Sequence, residues 1–121
     1  MTYDPLSDVI DEELNIDQKV IDNLTAFRKQ PKLVNLPGVD TKLERERISN
    51  ILNELIDSIL LGVRSSPTKL WVLSIFQNYL VKIEQEDTEA REHFGVEVEE
   101  IMDILGIESS DGLLSYYLGG L

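Results

Sequence analysis

Apolar positions recur at helical spacing through most of the chain, and the breaks between those runs divide it into helices. The most apolar run is P-T-K-L-W-V-L-S-I-F-Q-N-Y-L-V-K-I, residues 67–83. At about 100° per residue, Val72, Leu73, Phe76, Tyr79, Leu80 and Ile83 share one broad face. Leu70, Trp71, Ile75 and Val81 lie outside it. A helix apolar on more than one side must be covered on more than one side, so this run is predicted as the central helix. Ser66 is its predicted cap. Pro67 would then fall at the first helical position, where its missing N–H costs nothing.

The other runs follow the same logic. Asp17 is positioned to cap a helix carrying Val20, Ile21, Leu24 and Phe27, which Pro31 ends just beyond Lys29. Residues 30–40 read as a loop with a turn at Pro37-Gly38, and Leu33, Val34 and Leu36 are apolar enough to pack across the domain. A second long helix starts at Asp40 or Thr41. It sets Ile48, Ile51, Leu52, Leu55, Ile56 and Ile59 on one face, and Gly62 is expected as its left-handed terminator. After Glu84-Gln85-Glu86, Asp87 or Thr88 caps a further helix with Phe94, Val98, Ile101 and Leu105 inward, Gly95 at a kink or close contact, and Gly106 at its end. A short last helix runs from Ser110 or Asp111 to about Leu118. Residues 1–15 are expected to be loosely ordered, with Val9, Ile10 and Leu14 docking as one helical turn. The predicted fold is therefore all-α: one domain over residues 1–121, a compact bundle of four main helices plus a short C-terminal one. Its predicted core includes Ile51, Leu55, Trp71, Phe76, Leu80, Phe94, Ile101 and Leu105.

Composition narrows the function classes. The 121 residues contain no cysteine, which removes disulfides, thiolate catalysis and cysteine-based zinc sites. No run approaches the roughly 20 apolar residues of a membrane span. The first residues lack the basic and apolar regions of a secretory signal. A cytoplasmic protein is expected.

The formal net charge is −12. That argues against direct binding to nucleic acid, which needs Lys and Arg for the phosphates, and it favours a basic partner. The charge is uneven. Residues 1–23 hold seven acids and one Lys, residues 24–83 five acids and nine bases, and residues 84–108 ten acids and one Arg. Either the acidic flanks pack beside the basic middle, or they form a binding face.

The densest acidic block is E-Q-E-D-T-E-A-R-E-H, residues 84–93. Glu84, Glu86, Asp87, Glu89 and Glu92 are the candidate partner-binding acids. A metal site from Glu89, His93 and Glu100 is disfavoured, since hard cations need several rigid oxygens and one histidine is too few for zinc. His93 is the only histidine. No nucleophile elbow, phosphate loop or dinucleotide fingerprint is present. No catalytic residue, cofactor or metal is expected, and the chain reads as a non-enzyme. In the tail, Tyr116 and Tyr117 beside glycines are a second candidate contact site.

The run D-T-E-A-R-E (Asp87 to Glu92) and the later I-M-D-I-L-G-I-E-S-S-D-G-L-L (Ile101 to Leu114) resemble the C-terminal half of a family of small bacterial proteins of unknown function. The resemblance covers the last third of the chain and implies a helical fold and a bacterial source. In type alone, small acidic helical proteins also resemble immunity proteins that neutralise basic toxin domains. The expected function is a non-catalytic protein-binding module, an immunity or inhibitor protein for a basic toxin. The alternative is a structural or regulatory helical protein that forms a homodimer through the remaining apolar surface of the central helix.

Overall fold

The computed structural model describes residues 3–33 and 41–119. Its elements are a 3-10 turn at Pro5–Asp8, then α1 (Gln18–Lys29), α2 (Lys42–Gly62), α3 (Lys69–Ile83), α4 (Thr88–Leu105) and α5 (Leu113–Leu118). This is the expected all-α bundle of four long helices and one short one. Val34, Leu36, the Pro37-Gly38 turn and Asp40 lie outside the described residues.

Each long helix starts on a side chain that satisfies an otherwise unpaired backbone N–H. Asp17 accepts from Val20, Thr41 from Glu44, Thr68 from Trp71 and Asp87 from Ala90. At the far end of α1, the buried Lys32 ammonium donates to the carbonyls of Phe27, Arg28 and Gln30. Those carbonyls include ones that the end of a helix leaves open. α4 ends on Gly106 in the left-handed conformation, as expected.

α2 packs on α1, α3 and α4, and α5 closes against α3 and α4. One buried cluster joins them, with Ile48, Leu52, Leu55, Ile56 and Ile59 from α2 and Phe94, Val98, Ile101 and Leu105 from α4. Phe76 and Leu80 enter it from α3, and Leu113, Leu114 and Leu118 from α5.

Several expectations need correction. α3 is buried along one face only: Leu70 and Val81 are exposed, and Trp71, Ile75 and Tyr79 are half-buried. Tyr79 sits at the α2 border, where its hydroxyl is 2.6 Å from that of Ser58. Trp71 and Ile51, predicted in the core, flank it instead.

α3 also begins two residues later than Ser66 and Pro67 suggest. The Pro67 carbonyl accepts from the N–H of Leu14 at 2.7 Å, and Thr68 pairs with Glu13 in an isolated antiparallel bridge. The N–H of Lys69 donates to the carbonyl of Glu12. The S-S-P-T segment thus receives the amino-terminal segment, and Thr68 starts the helix. That amino-terminal segment carries its helical turn at Pro5–Asp8, not at residues 9–14. Of the three residues expected to dock, Leu14 is buried, Val9 half-buried and Ile10 exposed.

Gly62 is not a left-handed terminator. It is the last residue of α2, and a β-carbon there would lie 2.7 Å from Cζ2 of Trp71. The glycine is needed for close approach of the indole ring. Gly95 is buried within an uninterrupted α4, so it marks no break.

The corner between α4 and α5 explains the S-S-D-G-L-L motif. Asp111 and Gly112 both take positive φ, 52° and 93°. Ser110 Oγ accepts from the N–H of Leu114. Asp111 Oδ2 accepts from the buried Lys69 ammonium at 2.7 Å and from the Ile10 N–H at 2.9 Å. One carboxylate therefore ties α3, the corner before α5 and the amino-terminal segment together. The Lys69 ammonium, then the Ile10 N–H, hold the Asp111 carboxyl below the usual carboxylate range.

Candidate functional site

The acidic block divides by role. Glu86 is mostly covered and forms an ion pair with Arg47 of α2. Asp87 caps α4. Glu84 sits exposed at the end of α3. Glu89 and Glu92 are exposed on α4. Of the five acids, then, two hold the fold together and three face water.

The exposed stretch extends further than the block. At about 100° per residue, Glu89, Glu92, Glu99, Glu100 and Asp103 fall on one side of α4, around the exposed Val96. The opposite side carries Ala90, Phe94, Val98, Ile101 and Leu105, all buried. Among the described residues, no ion pair reaches any of the five acids. Four cations of the middle segment pair elsewhere: Arg28 with Asp57, Lys42 with Glu46, Lys69 with Asp111 and Lys82 with Glu54. Among the described residues, one ion pair, Arg47–Glu86, joins the basic middle to the acidic flanks.

Glu97 lies at the edge of this face and differs from its neighbours. It is half-buried, and burial lifts its carboxyl above the usual range, while the Lys32 ammonium pulls the other way. At its far end the acidic side of α4 runs into a cleft of about 420 Å³. Glu12, Glu13, Asp103 and Glu108 line this cleft together with Leu14, Val20, Ile104 and Leu105, and among the described residues no Lys or Arg contributes.

Glu99, Glu100, Asp103 and the cleft acids are absent from the sequence-based site. The signal for the first three was available, since they continue the i+7 and i+11 positions of Glu92 and Glu89. Glu12 and Glu13 carry no such signal, because their place depends on the Leu14–Pro67 hydrogen bond.

The tyrosine pair also divides. Tyr117, a candidate contact residue, is buried, and its hydroxyl accepts from Gln77 Nε2 at 3.0 Å. Tyr116 remains about half exposed, 5.6 Å from the Tyr3 ring and edge-on to Tyr117 at 5.0 Å. Glu89, His93 and Glu100 share one flank of α4. Among the described residues, no group of three or more His, Cys, Asp or Glu is placed to hold a metal ion. No helix among them is long and apolar enough to cross a membrane.

The fold and this surface define an all-α bundle with one strongly acidic outer helix face. The chain belongs to the DUF4844 family, a domain of unknown function, whose model matches residues 15–121. No curated protein and no solved structure matches it.

Proposed function

We propose that the protein is a non-catalytic binding module whose acidic α4 face docks a basic protein, and that it acts as an immunity or inhibitor protein for a basic toxin. One observation carries the reading: five acids on one helix face, Glu89, Glu92, Glu99, Glu100 and Asp103, without an ion pair among the described residues. Like charges this close repel and cost the folded state stability. A cationic partner reverses that cost and is steered to the surface by it. Glu84 and the half-exposed Tyr116 are further contact candidates in this reading, whereas Glu86, Asp87 and Tyr117 act through the fold. A bacterial source, implied by the resemblance of the D-T-E-A-R-E and S-S-D-G-L-L segments, and action in the cytoplasm belong to the same proposal.

The test is capture from source cells on immobilised protein, read by mass spectrometry. The reading expects a basic protein that is retained by the wild type and lost from Glu89→Lys/Glu92→Lys. Equal recovery on both proteins counts against it.

A second reading, a homo-oligomeric structural or regulatory protein, is favoured by α3. Its 15 residues include no acid, and Leu70 and Val81 stand exposed on it. Light scattering on the purified protein separates the two, since this reading expects the mass of a dimer.

A further inference from the structure

Exposed charges steer a partner but hold it weakly. A tight complex also needs a desolvated anchor, usually a large side chain in a pocket. The structure has a groove suited to one, away from α4. It lies between the Pro5–Asp8 turn and the start of α3, with a volume of about 560 Å³. Leu6, Leu70 and Trp71 supply apolar surface, and among the described residues Asp4 and Asp11 supply the only charges. Leu70 is 38% exposed, high for a leucine on the most apolar helix.

Both aspartates are fixed in place. Asp4 Oδ1 accepts from the Leu6 N–H at 3.0 Å, and Asp11 Oδ1 accepts from the Leu70 N–H at 2.9 Å. The second oxygen of each accepts no hydrogen bond among the described residues. Lys69, next to Leu70 in the chain, is buried and already paired with Asp111. Tyr3 and Ile10, which precede the two aspartates, are also exposed, at 52% and 74%.

This chemistry selects the occupant. A neutral apolar ligand would cover the carboxylates without pairing them, which is costly. A second copy docked here about a two-fold axis would bring four aspartates together, in chains already carrying −12 each. A cationic polypeptide with an apolar residue meets both demands. We propose that the groove is the anchor site for a basic partner: an aliphatic or aromatic side chain fills the space between Leu6, Leu70 and Trp71, and flanking Lys or Arg residues pair with Asp4 and Asp11. This rests on the reading of the chain as a binder of a basic protein.

Trp71 is the only tryptophan, so its emission reports the groove directly. The probe is a tryptophan-free hexapeptide with two central leucines and two lysines on either side, titrated into the full chain. Saturable binding with a blue shift of Trp71 emission is the expected result. Asp4→Asn/Asp11→Asn keeps both capping oxygens and removes both charges; it should weaken binding about tenfold at low salt. Leu70→Ser should weaken it by about as much, and Glu46→Gln on α2, outside both the groove and the α4 face, should leave it within about twofold. No emission change up to about 1 mM peptide overturns the proposal. So does equal response to a peptide with serines replacing the leucines, or a concentration-dependent shift without peptide at dimer mass. If affinity falls only in Glu99→Gln/Asp103→Asn on α4, the groove is not the anchor site while the acidic-face reading stands. If a peptide with glutamates replacing the lysines binds as well, both fail.

Discussion

Phe76 is fully buried in the middle of α3. Truncating a buried Phe leaves a cavity that the surrounding core refills only in part. Phe76→Ala is expected to cost about 3–5 kcal/mol in denaturant melts. A loss below about 1 kcal/mol would mean that the ring does not fill the core. Gly62 poses the opposite problem. Alanine in a helix normally gains about 0.5–1 kcal/mol over glycine, yet here the added carbon would stand 2.7 Å from the Trp71 ring. Gly62→Ala should push the indole toward water, shifting its emission to the red with no gain in stability. Unchanged emission together with a higher melting temperature would contradict the close approach. The burial of Phe76 was legible in the spacing of its neighbours. The role of Gly62 was not, because a glycine near a helix end reads as a terminator and its Trp71 contact is nine residues away.

At the scale of elements, capping was the most legible feature. Asp17, Thr41 and Asp87 announce their helices by residue type and by the periodic run that follows. Thr68 was hidden behind Ser66 and Pro67, which are good starters locally but receive the amino-terminal segment through Leu14, Glu13 and Glu12. Asp87→Ala should lower stability by about 1 kcal/mol by uncapping α4. An unaltered melt would return Asp87 to the pool of free surface acids.

The Asp111 corner carries a pH dependence of definite sign. Its carboxyl is held below its ordinary value by Lys69 and Ile10, so the folded state keeps the charge more readily than the unfolded chain. Its contribution is present in full above about pH 4 and is lost as pH falls through the lower folded value. Asparagine tolerates the positive φ and keeps an acceptor for the Ile10 N–H. Asp111→Asn should therefore destabilise the protein by on the order of 2 kcal/mol near neutrality, and thermal melts of the two proteins should converge in acid. A difference independent of pH would assign the effect to packing. The sequence shows D-G as a turn; only the fold shows that this aspartate meets a lysine 42 residues earlier.

Five acids without an ion pair among the described residues share one face of α4. Helical periodicity alone could have placed Glu99, Glu100 and Asp103 beside Glu89 and Glu92. It could not have shown that Arg47 neutralises Glu86 and no other acid of the block, or that Glu12 and Glu13 close the far cleft, since both depend on how distant segments meet. The acidic α4 face is the centre of the functional account, and exposed charge of this kind acts mainly on association rate and is screened by salt. The most direct test is stopped-flow association of the captured basic partner with the wild type and with Glu89→Lys/Glu92→Lys, at low and high ionic strength. The account expects the variant to melt like the wild type and to associate about tenfold more slowly at low salt, with the gap closing as salt rises. Association as fast as the wild type at low salt would contradict it.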